Sequence, residues 1–365
     1  MGFRKPWSST QIDTMNYCLF RYHLKYHAKA GKPLFLSAYA KGSLVHHLVE
    51  NFWHDLGTPE EVAHRARTGK KYYDAESFGK YAEGKWMQFL KADELGDGKR
   101  KVVWNYPEEK WVLKNRIPAI CRTIFPYLLE EGPPIIYKGK PLKEVKFQFS
   151  CNGEQARHTF LGHIDEIRME NGAVVIRDFK TGSPWLDEVK VDRDPQLTLY
   201  AAGVTSIAYA DREFAKALGL EGEVERFSER KVFVFPSLKQ EFFMIEAPSI
   251  NPEKVHDVPD IVLPTTRCHD DFSMVLKMVE RTERAIILGN VTPDWGRKCG
   301  GCDMKHVCRQ EADKMVSDPE KYLNQKDPDL FDFAAAPYVS SPSLDPPPKK
   351  AVQKKLNFDR KTPPK

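Results

Sequence analysis

From residue 142 onward, apolar and polar positions alternate with period two through KEVKFQFSC, HTFLGHIDEIRM and GAVVIRDFK, with Asn and Gly between the runs. Alternation at that period puts successive side chains on opposite faces of a sheet. The pattern therefore predicts a three-strand meander whose last link is the tight turn Asn171-Gly172. Upstream the period is helical. Residues 9–30 predict an aromatic-rich helix carrying Cys18 behind the cap candidates Ser9 and Thr10. Residues 41–56 set Leu44, Val45, Leu48, Val49 and Phe52 near helical spacing. Residues 60–132 read as charged amphipathic helices, among them 109–130 with Ile117, Ile120, Ile124 and Leu128, and predict an all-α insertion. After the meander come a predicted helix over about 187–204, a further hairpin in KVFVFPSLKQEFFMIEA, a helix over about 271–289, and a cysteine cluster with a short helix. Beyond about residue 327 the chain turns to Pro, Ser, Asp and Lys, a composition expected to be disordered.

Composition narrows the class. At 365 residues the chain exceeds the usual single domain, so one large domain with insertions or two domains are expected. No run approaches the ~18 apolar residues of a membrane span. The start MGFRKPWSSTQ lacks the apolar stretch of a secretory signal, so the expected location is the cytoplasm. The net charge of +5 is carried by the tail, where residues 337–365 hold seven Lys and Arg against two Asp. A nucleic-acid surface in the remainder would have to come from local clustering of charge. Three of the seven cysteines fall within ten residues, which in a reducing compartment favours metal ligation over disulfides.

Candidate chemistry gathers on the meander. Asp165 is expected to close its second strand, and Asp178 and Lys180, two residues apart on the third, project to one side while Phe179 points into the core. Asp165 can face Asp178 across the antiparallel ladder. Two adjacent carboxylates repel unless a cation sits between them, and hard oxygen ligands suit Mg²⁺ or Mn²⁺. A lysine beside them can orient or deprotonate an attacking water and offset transition-state charge. Gln196 and Tyr200, spaced i and i+4, share a helix face from which they could hold that lysine or the scissile phosphate.

The ordered series Gly162-x-x-Asp165, Asp178-Phe179-Lys180-Thr181-Gly182 and Gln196 with Tyr200 resembles the PD-(D/E)XK nuclease superfamily, in its RecB-like branch. The resemblance implies an α/β restriction-endonuclease-like core, a mixed central sheet flanked by helices, over about residues 7–312, with 313–336 as a peripheral segment. It implies a metal-dependent deoxyribonuclease of DNA replication, recombination or repair, acting on single- or double-stranded ends in a bacterial or phage-infected cell. In that branch an upstream G-x-x-x-H supplies a metal-binding histidine; Gly42-Ser43-Leu44-Val45-His46 matches, with His47 as the alternative. The metal ligands so implied are His46, Asp165, Asp178 and the carbonyl of Phe179. The superfamily's nominal Pro before the first Asp is Ile164 here.

Cys18 in front and Cys299-x2-Cys302-x5-Cys308 behind are similar to the pattern of AddB-type nucleases and of the RecB-like nucleases of CRISPR adaptation. That likeness implies a [4Fe–4S] cluster joining the two ends as a structural staple. Zinc on the same thiolates, or with His306 replacing Cys18, is the alternative. Cys121, Cys151 and Cys268 lack partners at ligand spacing and are expected in the core. In the tail, Gln353, Leu356 and Phe358 fit Q-x-x-L-x-F, which resembles the motif that docks into a bacterial sliding clamp. The alternatives at this point are a nuclease working with an integrase in CRISPR adaptation and a DNA-binding iron–sulfur module without catalysis.

Overall fold

The computed structural model describes residues 6–52, 74–95, 101–153, 157–181, 191–229, 235–236, 238–246 and 262–317. The meander forms three strands of a five-stranded mixed sheet in the order β1 (Lys143–Asn152), β2 (Arg157–Glu170), β3 (Ala173–Lys180), β4 (Lys239–Met244) and β5 (Val262–Thr266). β1, β2 and β3 pair antiparallel, β4 joins β3 in parallel, and β5 closes the edge antiparallel to β4. Asn171 and Gly172 both adopt positive φ, 48° and 77°, as a two-residue hairpin turn between right-twisted strands requires. β2 runs on to Glu170, so Asp165 lies inside its strand rather than closing it.

Helices cover both faces. On one lie α1 (Ser9–Tyr17), α5 (Pro195–Ala210) and α6 (His269–Ile287), sharing a core with Ile164, Val174, Ile176 and Phe242 of the sheet. On the other, α2 (Ser37–Glu50), α3 (Ala75–Leu95) and α4 (Glu109–Glu131) enclose Phe179, Phe243 and Ile245. The helices expected as an insertion thus form a packing layer over the sheet. They are not wholly helical territory: Val102–Val103 pairs in parallel with Phe35–Leu36. The last described helix is α7 (Lys305–Ser317). Among the described residues no helix is long and apolar enough to cross a membrane.

One aromatic side chain sets how closely α5 approaches the sheet. A Cβ on Gly162 of β2 or on Gly203 of α5 would stand 2.6 Å from the ring of Phe147. Glycine therefore meets that ring at its tip, from Gly162, and at its root, from Gly203, and Phe147 is buried at 3% exposure. Its ring meets Tyr200 of α5 edge-on at 6.1 Å. The opposite face of the sheet holds buried charge: Arg177 pairs with Glu241 and Glu131, and Arg168 takes the same Glu131 oxygen at 2.8 Å.

Several expectations shift. The helix expected over 9–30 breaks at Cys18, whose backbone is extended (φ −166°, ψ 120°); the chain resumes as Leu19–Tyr22 and a π-helical turn, His23–His27. The cap is Ser8, which with Gln11 makes a reciprocal capping box, not Ser9 or Thr10. The helix expected from 187 begins at Pro195, capped by Asp194. β4 pairs with β3 and β5 in place of the expected local hairpin, most of whose first strand, 231–234, lies outside the described residues. Cys121 and Cys151 are buried as expected, whereas Cys268 is exposed. Residues 60–73, Gly182, the segment 318–336 and the tail with Gln353, Leu356 and Phe358 also lie outside the described residues.

Candidate active site

The β2–β3 ladder ends at Glu166–Arg177, and one residue further along stand Asp165 and Asp178, near enough for the charge of Asp178 to act on Asp165. Asp165 and Asp178 are 5% and 2% exposed. Asp165 Oδ2 accepts the backbone N–H of Phe179 at 2.8 Å, filling the place of a ladder bond. Phe179 itself turns to the opposite face and packs on Phe243 at 5.7 Å, which fixes Asp178 and Lys180 on the α5 side.

From α5, Gln196 joins the site at its centre. Its Nε2 donates to Asp178 Oδ1 at 2.7 Å and lies 2.7 Å from the Tyr200 hydroxyl, and its Oε1 accepts from Lys180 Nζ at 2.6 Å. Tyr200 donates to the same Asp178 oxygen at 3.2 Å. Lys180 closes the circuit on Asp178 Oδ2 at 2.6 Å. Burial alone would depress the Lys180 ammonium, but Asp178 and Asp194 overcome it and hold it above its ordinary value.

From the other layer, α2 brings His46. Gly42 permits this, because a Cβ there would stand 3.0 Å from Thr181 Oγ1 at the end of β3. His46 Nε2 lies 2.9 Å from Asp165 Oδ2, and its Nδ1 is paired with Glu50 one turn on. His47 is exposed and bonds to Asn51 at 2.9 Å, away from the carboxylates. Burial works against a charged imidazole, yet the bonds to Asp165 and Glu50 prevail and push His46 up to about 10. Burial first, then the Asp178 charge, pushes Asp165 up to about 6, while His46 and the Phe179 amide restrain the rise.

Two buried carboxylates side by side, with Asp165 raised by burial and by the charge of Asp178, are oxygen donors of the kind a hard cation takes. His46, Glu50 and Asp165 place one ligand atom each within 4.8 Å of one another. The chain matches the family model of the PD-(D/E)XK nuclease superfamily over residues 6–309. It belongs to that superfamily. A comparison with curated proteins finds no match. Membership in the PD-(D/E)XK superfamily carries phosphodiester hydrolysis with it, commonly with Mg²⁺ or Mn²⁺, and DNA as the substrate.

Sequence reasoning had missed three groups around this PD-(D/E)XK site. Glu50 stands four residues after His46, so an H-x-x-x-E spacing on one helix face was the available signal. Glu144, at φ 49°, reaches Glu50 and is pushed up to about 8, by burial first and then by the Glu50 hydrogen bond. Arg267 left no local signal. Buried after β5, it donates to Thr198 Oγ1 at 2.9 Å and to the carbonyls of Val191 and Asp194, tying down the N-terminus of the helix that carries Gln196.

The sequence's cysteine pattern also converges. Cys18, Cys299, Cys302 and Cys308 line one pocket with Tyr17 and Arg21. The break at Cys18 turns its side chain into that pocket, and Asp303, next to Cys302, binds Arg21 at 2.6 Å. His306 is exposed and lies outside the pocket, with Nε2 directed toward Gly31.

Proposed function

We propose that the protein is a RecB-like deoxyribonuclease using Mg²⁺ or Mn²⁺ held by His46, Asp165, Asp178 and the Phe179 carbonyl. The observation that carries this reading is the closed hydrogen-bond circuit of Asp178, Lys180, Gln196 and Tyr200 beside the His46–Asp165 pair. The cation would polarise the phosphate and activate the attacking water. The chain's own residues do the rest. Lys180, held as a cation above its ordinary value, orients the nucleophile and offsets charge on the phosphoryl oxygens; it does not serve as the base. Gln196 and Tyr200 fix the Asp178 carboxylate and the Lys180 ammonium so that neither reorganises during the reaction. Glu50 holds the His46 Nδ1 proton, leaving Nε2 as the nitrogen for the metal, a carboxylate–histidine–metal arrangement.

The convergence of the four cysteines on one pocket supports a shared metal group, and the sequence resemblance favours a [4Fe–4S] cluster over zinc. A cubane cluster there would staple α1 to the segment before α7 and leave the cutting to the carboxylates. We assign exonucleolytic action in replication, recombination or repair, with the Gln353, Leu356 and Phe358 motif engaging a sliding clamp, on the strength of the sequence resemblances alone.

The test is cleavage of end-labelled single- and double-stranded linear DNA with Mn²⁺ or Mg²⁺, using anaerobically purified protein beside Asp178→Ala. Metal-dependent cutting by the unaltered protein alone is expected, and the product ladder reports polarity. Absence of cutting by a brown, DNA-binding protein would overturn the catalytic reading in favour of a binding module.

A further inference from the structure

Between α1 and the stretch leading into α2 lies a cleft of about 420 Å³ walled by Asp13, Tyr17, Arg21, Lys25, Tyr39 and Asp303. It opens beside the site already described. Asp13 on one wall sits in the field of Lys180, Asp194 and Asp178. Tyr39 on the other wall is seven residues before His46 on the same helix, two turns along and so on nearly the same face. Nothing in the hydrolytic circuit uses the cleft.

Its chemistry distinguishes between the parts of a nucleotide. Arg21 and Lys25 look like a phosphate clamp, yet both are spent on Asp303, at 2.6 and 3.4 Å. A phosphate would find both cations already paired. An aromatic ring would find a built platform. Tyr39 is 39% exposed, and its hydroxyl takes a bond from Arg21 Nη2 at 3.3 Å, which holds the ring in place. The Arg21 guanidinium in turn lies over the Tyr17 ring at 4.9 Å, so platform and wall brace one another. The volume falls in the range of small-molecule pockets and admits one base with its sugar.

We propose that this cleft receives a single unstacked nucleobase of the strand being cut, on Tyr39, next to the scissile phosphate. The assignment rests on the nuclease reading above. A base can enter only if it is unpaired, so the cleft makes single strands and frayed ends the preferred substrates. Stacking on one aromatic platform is sequence-tolerant, because every base has a π-face.

The experiment measures binding of a short fluorescein-labelled oligothymidylate, and of the same oligonucleotide with an abasic residue walked along it, to Asp178→Asn protein with Tyr39 intact, Tyr39→Ala or Tyr39→Trp. Binding needs no cleavage, so failure here is separable from failure of the nuclease reading, which the unaltered protein tests on labelled DNA. Tyr39→Ala should weaken binding by about tenfold, as loss of one stacked base does, and Tyr39→Trp should restore it. One abasic position should weaken the Tyr39 protein to the same degree and have no further effect on Tyr39→Ala. Equal affinity of the Tyr39 and Tyr39→Ala proteins, or an abasic effect that persists undiminished in Tyr39→Ala at every position, overturns the proposal. Circular dichroism and the cluster colour of each variant confirm that the comparison is between folded proteins.

Discussion

Loading of a divalent cation should cost a proton from His46, and the cost can be worked from the site. In the metal-free protein the imidazole bridges Asp165 and Glu50 and holds its proton up to about pH 10. At pH 7, three units lower, a cation that takes Nε2 must first pay about 4 kcal/mol to remove that proton. Apparent affinity for Mn²⁺ should therefore rise about tenfold per pH unit, since each unit is worth ~1.4 kcal/mol. Asp165, raised to about 6, sets the lower edge of the window. Below it a second proton competes and the dependence steepens. Isothermal titration calorimetry with Mn²⁺ between pH 6.5 and 8.5, in buffers of different ionisation heat, measures both the slope and the proton released. His46→Ala should bind more weakly with a shallower profile, the remaining slope coming from Asp165 and Glu144. Glu50→Gln should lower the proton affinity of the imidazole, so that the rise levels off at a lower pH. A dissociation constant that does not change with pH in the unaltered protein, or a slope undiminished in His46→Ala, would refute the assignment of Nε2 to the metal.

Other consequences are as direct. Lys180→Ala should lower kcat by about a hundredfold or more, as removal of a transition-state charge does, with Mn²⁺ affinity changed little in calorimetry. Gly203→Ala drives a methyl into the Phe147 ring and should cost about 1–3 kcal/mol in denaturant unfolding, with activity falling because Gln196 and Tyr200 ride on the same helix. The bonds that raise His46 stabilise the fold fully below its ordinary value of 6.5 and are lost as pH rises through about 10. The metal-free protein should accordingly lose thermal stability from pH 7 to 10, and His46→Ala should show less of that loss. With the proposed [4Fe–4S] cluster in place, Cys18→Ser should bleach the visible absorption of anaerobically purified protein and lower its unfolding midpoint; an unchanged spectrum would overturn the assignment of Cys18 as a ligand.

Much of the site was legible because its chemistry is local in sequence. Asp178 and Lys180 share a face by strand period alone, the Asn171-Gly172 turn sets β2 against β3, and i, i+4 spacing aligns Gln196 with Tyr200. What escaped depends on distance along the chain. No pattern around residue 239 says that β4 will lie parallel to β3, because that choice is made by what α5 and the chain after it cover. Arg177, in a strand that otherwise reads as continuous core, is buried because Glu131 and Glu241 arrive from elsewhere. The kink at Cys18 runs against a good helical period; the local pattern yields to the convergence of four cysteines on one pocket. Gly162 belonged to the motif, but its purpose, room for Phe147, depends on a strand and a helix that meet only in the fold.

Arg267 gives the order of synthesis a meaning. Every residue assigned to the chemistry, from His46 to Tyr200, leaves the ribosome before the arginine that clamps the carbonyls of Val191 and Asp194. The same holds for Glu283, which bonds the Trp7 indole at 3.2 Å, and for Asp303, which anchors Arg21. Chains emerge N-terminus first, so an unfinished polypeptide carries the proposed catalytic residues without these later partners. Until Arg267 is made, the first turn of α5 lacks the donor that fixes it, and the circuit of Asp178, Lys180, Gln196 and Tyr200 stands without that support.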